Sequence, residues 1–283
     1  MKTFVYATDY SKNSVAALHF ANALSQELNA KLIALHVFEL SLTLASTVSH
    51  TYSRKEVRAF ADHRERLLDF CAEHLINKPG ANKITCKIDE GKPAHEIIIK
   101  NAIEHSADLI IVGAKGGSAI REALLGSTTT SLINAASCPV LAVPDDVDFH
   151  GIKKMMYATD FEGADIFMIE KLTELAKPLQ LDLHVVHVST MDTRTSNDQM
   201  EWFKGMLRHK VNCDNIHFDL RYGEDVFATL QQYIDEIEPD MVAMLEREGH
   251  SLIKDLTHWD LVKRMKSEGH LPLLSYHKKN ILE

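Results

Sequence analysis

The chain is sparing with the residues that crosslink and punctuate: its 283 residues hold four cysteines, seven prolines and twelve glycines. The cysteines (Cys71, Cys86, Cys138, Cys213) are scattered and never form C-x-x-C. That excludes a sequence-evident disulfide framework, and the four read as reduced, mostly buried thiols of a cytoplasmic protein. No apolar stretch approaches the ~20 residues of a membrane helix. The first ten residues include Asp9 and no run of signal-peptide length, so no membrane partner is expected. Neither phosphate fingerprint, G-x4-G-K-[ST] nor G-x-G-x-x-G, occurs. His95-Glu96 lacks the second histidine of H-E-x-x-H, and the sixteen histidines show no ligand cluster, so no metal site is expected. A net charge of −9 argues against a nucleic-acid partner.

What remains is a globular composition, 45% hydrophobic and 25% charged, at a length that suits two domains. Four of the twelve glycines crowd into Gly113–Gly126. Asp108 and the apolar run Leu109–Val112 read as a buried strand that stops at Gly113. Gly116, Gly117 and Gly126 follow, then Ser127, Thr128, Thr129 and Thr130, hydroxyl N-cap types ahead of a helix to about Ala136. Strand, glycine turn, hydroxyl cap and helix together prepare an anion site. Glycine lets backbone N–H groups approach an oxyanion, and a helix start adds unpaired donors and a positive dipole end.

Read in order, the first half alternates strand and helix. Phe4–Asp9 is a strand, Ser11 caps an amphipathic helix, and Lys31–Phe38 is a second strand. Glu39 to Arg54 is a Ser/Thr-rich connection without a period, expected to act as a mobile cover for a ligand. A helix from Lys55 to about Ile76, a strand from Lys83 to Ile88, a helix after Pro93, the glycine stretch and a fifth strand, Pro139–Val143, complete the unit. Such alternation predicts a parallel sheet covered by helices on both faces.

The pattern then repeats. Tyr6-Ala-Thr-Asp9 recurs as Tyr157-Ala-Thr-Asp160, and Leu35-His-Val37 as Val186-His-Val188, both 151 residues on. Gly223, Asp240 and Pro272 stand where Gly91, Asp108 and Pro139 stood. This is a duplicated domain, with expected bounds 1–146 and 151–283. The second half is the more acidic, residues 149–283 carrying a net −7 against −2 for residues 1–148, and its glycine stretch is altered. Leu245 or Glu246 faces Gly113, depending on where one inserted residue is placed. Counted back from Pro272, Trp259-Asp260 replaces Gly126-Ser127.

The spacing G-x2-G-x9-G-S, from Gly113 through Gly116 to Gly126-Ser127, matches the nucleotide-binding signature of the universal stress protein family. The whole chain resembles a tandem member. The resemblance implies an α/β fold of two doubly wound parallel five-stranded sheets, strand order 3-2-1-4-5, of the adenine nucleotide alpha hydrolase-like kind. It further implies ATP, with or without magnesium, across the carboxyl ends of the first copy's strands. Ala7, Thr8 and Asp9 would flank adenine and ribose, and Val37 would meet the base. Val112 and Gly113 would lie under the nucleoside. Gly116, Gly126, Ser127 and Thr128 would hold phosphates and ribose, with Lys115 a candidate phosphate partner. The two copies are expected to pair as an internal pseudo-dimer through their fifth strands, and a homodimer and an unidentified protein partner stay open.

Blander roles stand beside these: Asp9 as a helix cap, Lys115 as a solvated turn lysine, His36 and His187 as satisfied core histidines. Three functions compete: a nucleotide-dependent regulatory stress protein, a slow ATP-hydrolysing or nucleotidyl-transferring enzyme, and a ligand-free interaction scaffold. No carboxylate pair placed for magnesium and no base beside the glycine turn is evident, which favours the first.

Overall fold

The computed structural model describes residues 1–40, 49–76, 83–114, 126–190, 193–211, 215–246 and 271–277. They fall into two compact units, one ending at Asp148 and the next beginning at Phe149. In the first, β1 (Thr3–Ala7), α1 (Lys12–Glu27), β2 (Lys31–Phe38), α2 (Ser49–His74) and β3 (Ile84–Glu90) lead to α3 (Ala94–Glu104), β4 (Leu109–Ala114), α4 (Ser127–Ala135) and β5 (Val140–Pro144). In the second, β6 (Lys154–Ala158), α5 (Gly163–Leu179), β7 (Asp182–Ser189), α6 (Thr193–Arg208) and β8 (Ile216–Tyr222) lead to α7 (Val226–Ile237), β9 (Met241–Glu246) and β10 (Leu273–His277). Among the described residues, no helix is long and apolar enough to cross a membrane.

Both units have the expected order. The first runs β3-β2-β1-β4-β5 and the second β8-β7-β6-β9-β10, every described pairing parallel. β1, β4 and β5 are buried almost throughout because helices cover both faces. Along one face Val5, Ala7, Ile33, Leu35, Ile110 and Val112 meet Ile98 and Ala102 of α3 and Leu132 and Ile133 of α4. Met156, Ala158, Val186 and Met244 meet Phe227 and Leu230 of α7 in the same way.

The repeat extends to single hydrogen bonds. Asp108 Oδ2 accepts the Thr3 amide at 2.7 Å, and Asp240 Oδ2 accepts those of Lys153 and Lys154 at 2.8 and 2.9 Å. The Gly91 amide donates to the Phe38 carbonyl, and Gly223 donates to Ser189. Ile110 donates to the Pro139 carbonyl, and Val242 to Pro272, each at 3.0 Å.

Some boundaries differ from expectation. The helix after the second strand starts at Ser49, not Lys55, so the connection from Glu39 to Arg54 is helical in its last part, while 41–48 lie outside the described residues. Ser and Thr are weak helix formers, which hides a helix start in the sequence. β3 extends to Glu90, where pairing with Phe38 holds it in the sheet. Ser127 is not a cap: it is the first residue of α4. Gly126 is the N-cap, at φ −57° and ψ 146°, its carbonyl accepting the Thr130 amide.

At Gly113 the start of α1 lies close over the end of β4. A Cβ there would sit 2.5 Å from the Asn13 carbonyl oxygen and 2.9 Å from the Ser14 amide, both backbone atoms that cannot rotate away. Gly113→Ala is therefore expected to destabilise the first unit by about 1–3 kcal/mol. Gly205→Ala, in α6 with no described atom within 4 Å of the new methyl, is expected to stabilise by about 0.5–1 kcal/mol. Urea melts of the two variants check both signs.

Candidate functional site

A cleft of about 220 Å³ opens at the carboxyl ends of the first unit's central strands. Ala7, Thr8 and Asp9 form one wall, Leu35 and Val37 another, and Val112 and Gly113 the floor. The first turns of three helices complete it: Asn13 and Ser14 of α1, Ala94 of α3, and Ser127, Thr128 and Thr129 of α4. The first amides of each helix have no intrahelical acceptor, so donors and positive dipole ends converge on one volume. Leu35, Val37, Ile98 and Val112 give the wall an apolar side.

Of the residues singled out in the sequence, Ala7, Thr8, Asp9, Val37, Val112, Gly113, Gly126, Ser127 and Thr128 line this cleft. Lys115 and Gly116 lie outside the described residues. Sequence reasoning missed Ser11, Asn13, Ser14, Leu35, Ala94, Ile98 and Thr129. The serines carried a signal, two hydroxyls in the turn after Asp9. Ala94 and Ile98 carried none, because only the sheet register brings α3 beside β2.

Asp9 is not a simple helix cap. Its Oδ1 accepts the Ser11 amide at 2.9 Å and the Ser14 hydroxyl at 2.7 Å. Burial pushes its pKa up, but the hydrogen bonds from Ser11 and Ser14 outweigh that and hold it below the usual carboxylate value. Asp9 is thus an anion at neutral pH, suited to accept hydroxyls and unsuited to lie against a phosphate. The turn that presents it has Tyr10 at φ 64°, held by the Tyr10 amide donating to Thr8 Oγ1 at 3.0 Å.

His36 secures the same turn from behind. Its Nδ1 lies 2.8 Å from the Thr8 carbonyl oxygen. A carbonyl only accepts, so Nδ1 carries the proton. The ring packs on Tyr10 at 4.3 Å and His63 at 5.3 Å. Burial lowers its pKa below the ordinary histidine value despite the Thr8 bond, with His63 and Arg66 pushing the same way and Asp9 opposing. The second unit repeats the device: His187 Nδ1 lies 2.7 Å from the Thr159 carbonyl, and Phe161 takes Tyr10's place at φ 59°. Both histidines are satisfied fold elements, as expected.

The second unit departs at the matching strand end and helix start. Ala158 pairs with Met244 as Ala7 pairs with Val112, so Leu245, not Glu246, stands at the position of Gly113. Leu245 is buried. Asp165 stands at the position of Ser14 and is fully buried. Its Oδ1 accepts the Tyr157 hydroxyl at 2.6 Å, and its Oδ2 accepts the amides of Asp160 and Glu162 at 3.2 and 2.9 Å. A carboxylate of the chain itself thus takes up the loop donors and sits at the positive end of α5. Trp259 and Asp260 lie outside the described residues.

The His36 geometry fixes a pH dependence. His36 and His63 both have pKa values lowered by burial, so the unfolded chain takes up protons first as pH falls through about 6.5. Stability contributed by the neutral rings is complete above that pH and falls below it, until the folded-state values are passed. His36→Gln is expected to flatten part of the fall in melting temperature between about pH 7 and 5. A melting series in matched buffers checks the difference from wild type.

Comparison with known proteins agrees with this architecture. The family model described as "Universal stress protein family" matches residues 1–144. Universal stress protein YxiE of Bacillus subtilis (strain 168) is 34% identical over 146 residues, 48% of this chain and 95% of that protein. A universal stress protein of Thermus aquaticus is 27% identical over 142 residues, 50% of this chain and 98% of the relative. The crystal structure of a universal stress protein from Archaeoglobus fulgidus DSM 4304 covers 98% of both chains at a TM-score of 0.71 and 19% identity, a likeness of fold. A whole relative of ordinary length thus fits half of this chain, a solved family structure fits both halves, and the chain belongs to the universal stress protein family.

Proposed function

We propose that the protein is a nucleotide-dependent regulatory member of this family that binds one ATP per chain, in the first unit. The observation that supports it best is the meeting of three helix N-termini with an apolar wall around one ionised carboxylate. Adenine is flat and apolar-faced and suits Val37, Ala94 and Ile98. The ribose hydroxyls suit Asp9, whose charge bars it from the phosphates. The phosphates suit the first amides and hydroxyls of α4, at Ser127 and Thr128. Lys115 and Gly116 are proposed phosphate partners on sequence grounds alone, and magnesium would arrive with the triphosphate.

The second unit argues for one site. Leu245 at the Gly113 position brings bulk where the first unit has none. Asp165 adds a buried negative charge at the helix start. Unit charges 4 Å apart repel by on the order of 1 kcal/mol in water and more when less solvated.

Titration calorimetry is expected to return one ATP per chain, and ATP at ~100 times its dissociation constant should stabilise the first unit by about 2.7 kcal/mol. Among the described residues nothing lies within 4 Å of a Cβ added at Gly126. Gly126→Trp should therefore fold and yet abolish the ATP-dependent rise in melting temperature, while Trp259→Ala should keep it. Two sites per chain, or binding by Gly126→Trp, overturns the assignment. Overnight incubation with ATP, followed by nucleotide chromatography, separates a regulatory protein from an enzyme: many turnovers per minute exclude the regulatory reading.

A further inference from the structure

We propose that the second unit carries a proton-binding site of its own, the stacked pair His184 and His217, whose charging loosens strand β8 from β7 and α7. His184 on β7 pairs in register with His217 on β8. Their rings stack with centroids 4.7 Å apart and planes at 28°. Each ring has its own carboxylate: His217 Nε2 lies 3.5 Å from Asp182 Oδ1, and His184 Nδ1 lies 3.9 Å from Asp219 Oδ2. The Tyr233 hydroxyl of α7 joins the second of these pairs. It donates to Asp219 Oδ2 at 2.6 Å and lies 3.2 Å from His184 Nδ1. A phenol has one proton to give, and it goes to the carboxylate. The oxygen then accepts from His184, so the neutral ring carries its proton on Nδ1 and takes up the next one on Nε2. His217 is half exposed, which puts the pair within reach of solvent.

Charges of both signs face the pair. Asp182 of β7 and Asp219 of β8 favour an imidazolium at His184. Lys154 of β6 opposes it, its ammonium held at the end of α7 by the Ile237 carbonyl. Arg221 lies over the Tyr233 ring at 4.6 Å and is paired with Glu236 at 2.8 Å. Burial, and then the Asp219 hydrogen bond, keep Tyr233 a neutral phenol. For His184 burial is the largest effect and lowers its pKa below the ordinary histidine value. His217 and Lys154 push the same way, and the two aspartates do not offset them. Two imidazolium rings this close repel, so the pair takes its protons in two steps that belong to both rings. Because the folded value of His184 lies below that of the unfolded chain, the stability it lends is complete above about pH 6.5 and is lost as pH falls toward the folded value. The loss appears first at β8, which ends the second unit's sheet and pairs with β7 alone among the described strands.

The first unit has the same strands without this chemistry. By the strand pairings, Ile33, Thr85, Lys31 and Lys87 stand where His184, His217, Asp182 and Asp219 stand in the second unit. None of those four side chains titrates near neutral pH. Ile33 is buried in the first unit's core. A ring that must keep a hydrogen bond fills such a position less well than an isoleucine, so packing alone does not account for His184. What the second unit gains by the exchange is a group whose charge changes in the physiological range.

The test follows the histidine rings of the full chain by NMR from about pH 8 to about pH 4.5, in buffer containing EDTA. Amide hydrogen exchange, corrected for its intrinsic pH dependence, is measured on the same protein at about pH 7.5 and about pH 5.5. His184 should titrate with a midpoint below about 6.5. Strand β8 should lose protection by roughly tenfold at the lower pH, while the central strands β6 and β9 of the same unit lose less. His217→Gln should raise the His184 midpoint by about half a pH unit or more, and Asp219→Asn should lower it. His184→Ile combined with His217→Thr, the first unit's residues, should abolish the pH-dependent loss in β8. A wild-type His184 midpoint at or above about 6.5, or equal protection of β8 at both pH values, overturns the proposal and needs no variant to fold. A His184 midpoint unmoved in His217→Gln overturns the coupling of the two rings.

Discussion

The contact of α1 with the end of β4 is the constraint on which the first unit's cleft depends. With the Asn13 carbonyl 2.5 Å from where a Cβ on Gly113 would stand, the helix start can sit directly over the strand end. That brings Asn13 and Ser14 to the cleft, lets Ser14 bond Asp9, and places the Tyr6 hydroxyl 2.6 Å from the Ser14 carbonyl. A larger residue at 113 would force the helix away and separate the serine from the carboxylate it holds. One missing methyl therefore sets where a hydroxyl, a carboxylate and a helix dipole meet.

The second unit keeps the scaffold and changes this contact. Leu245 occupies the Gly113 position, and the Tyr157 hydroxyl bonds a carboxylate side chain, Asp165, where Tyr6 bonds a backbone carbonyl. The threonine–aromatic turn and the histidine behind it persist in both units, with φ 64° at Tyr10 and 59° at Phe161. The aromatic turn and the histidine behind it, common to both units, are thus explained by folding. Gly113 and Ser14 are confined to the first, and the proposed site depends on them.

This division explains what was legible in the sequence. The alternation of strands and helices and the duplication were legible because parallel central strands are continuous apolar runs and because landmarks such as Asp108 and Asp240 repeat, while the strand order came with the family resemblance. Gly113, Gly126, Ser127 and Thr128 of the cleft were legible because their chemistry is local. The helix start at Ser49 was not, since weak formers in a first turn leave no period. Ala94 and Ile98 were not, since nothing in an alanine or an isoleucine announces a neighbour on another strand. Leu245 against Glu246 was undecidable by counting and is decided by the pairing of Ala158 with Met244.

Asp165 carries a consequence for how such a chain responds. Its two oxygens take the tyrosine hydroxyl and the amides of Asp160 and Glu162, so these donors are satisfied by a group of the chain itself, which never dissociates. On the proposed reading of one site per chain, a chain acting alone has no second nucleotide-binding event to couple to the first. Its occupancy would then follow a simple hyperbola, graded across a broad concentration range, reporting a level rather than crossing a threshold.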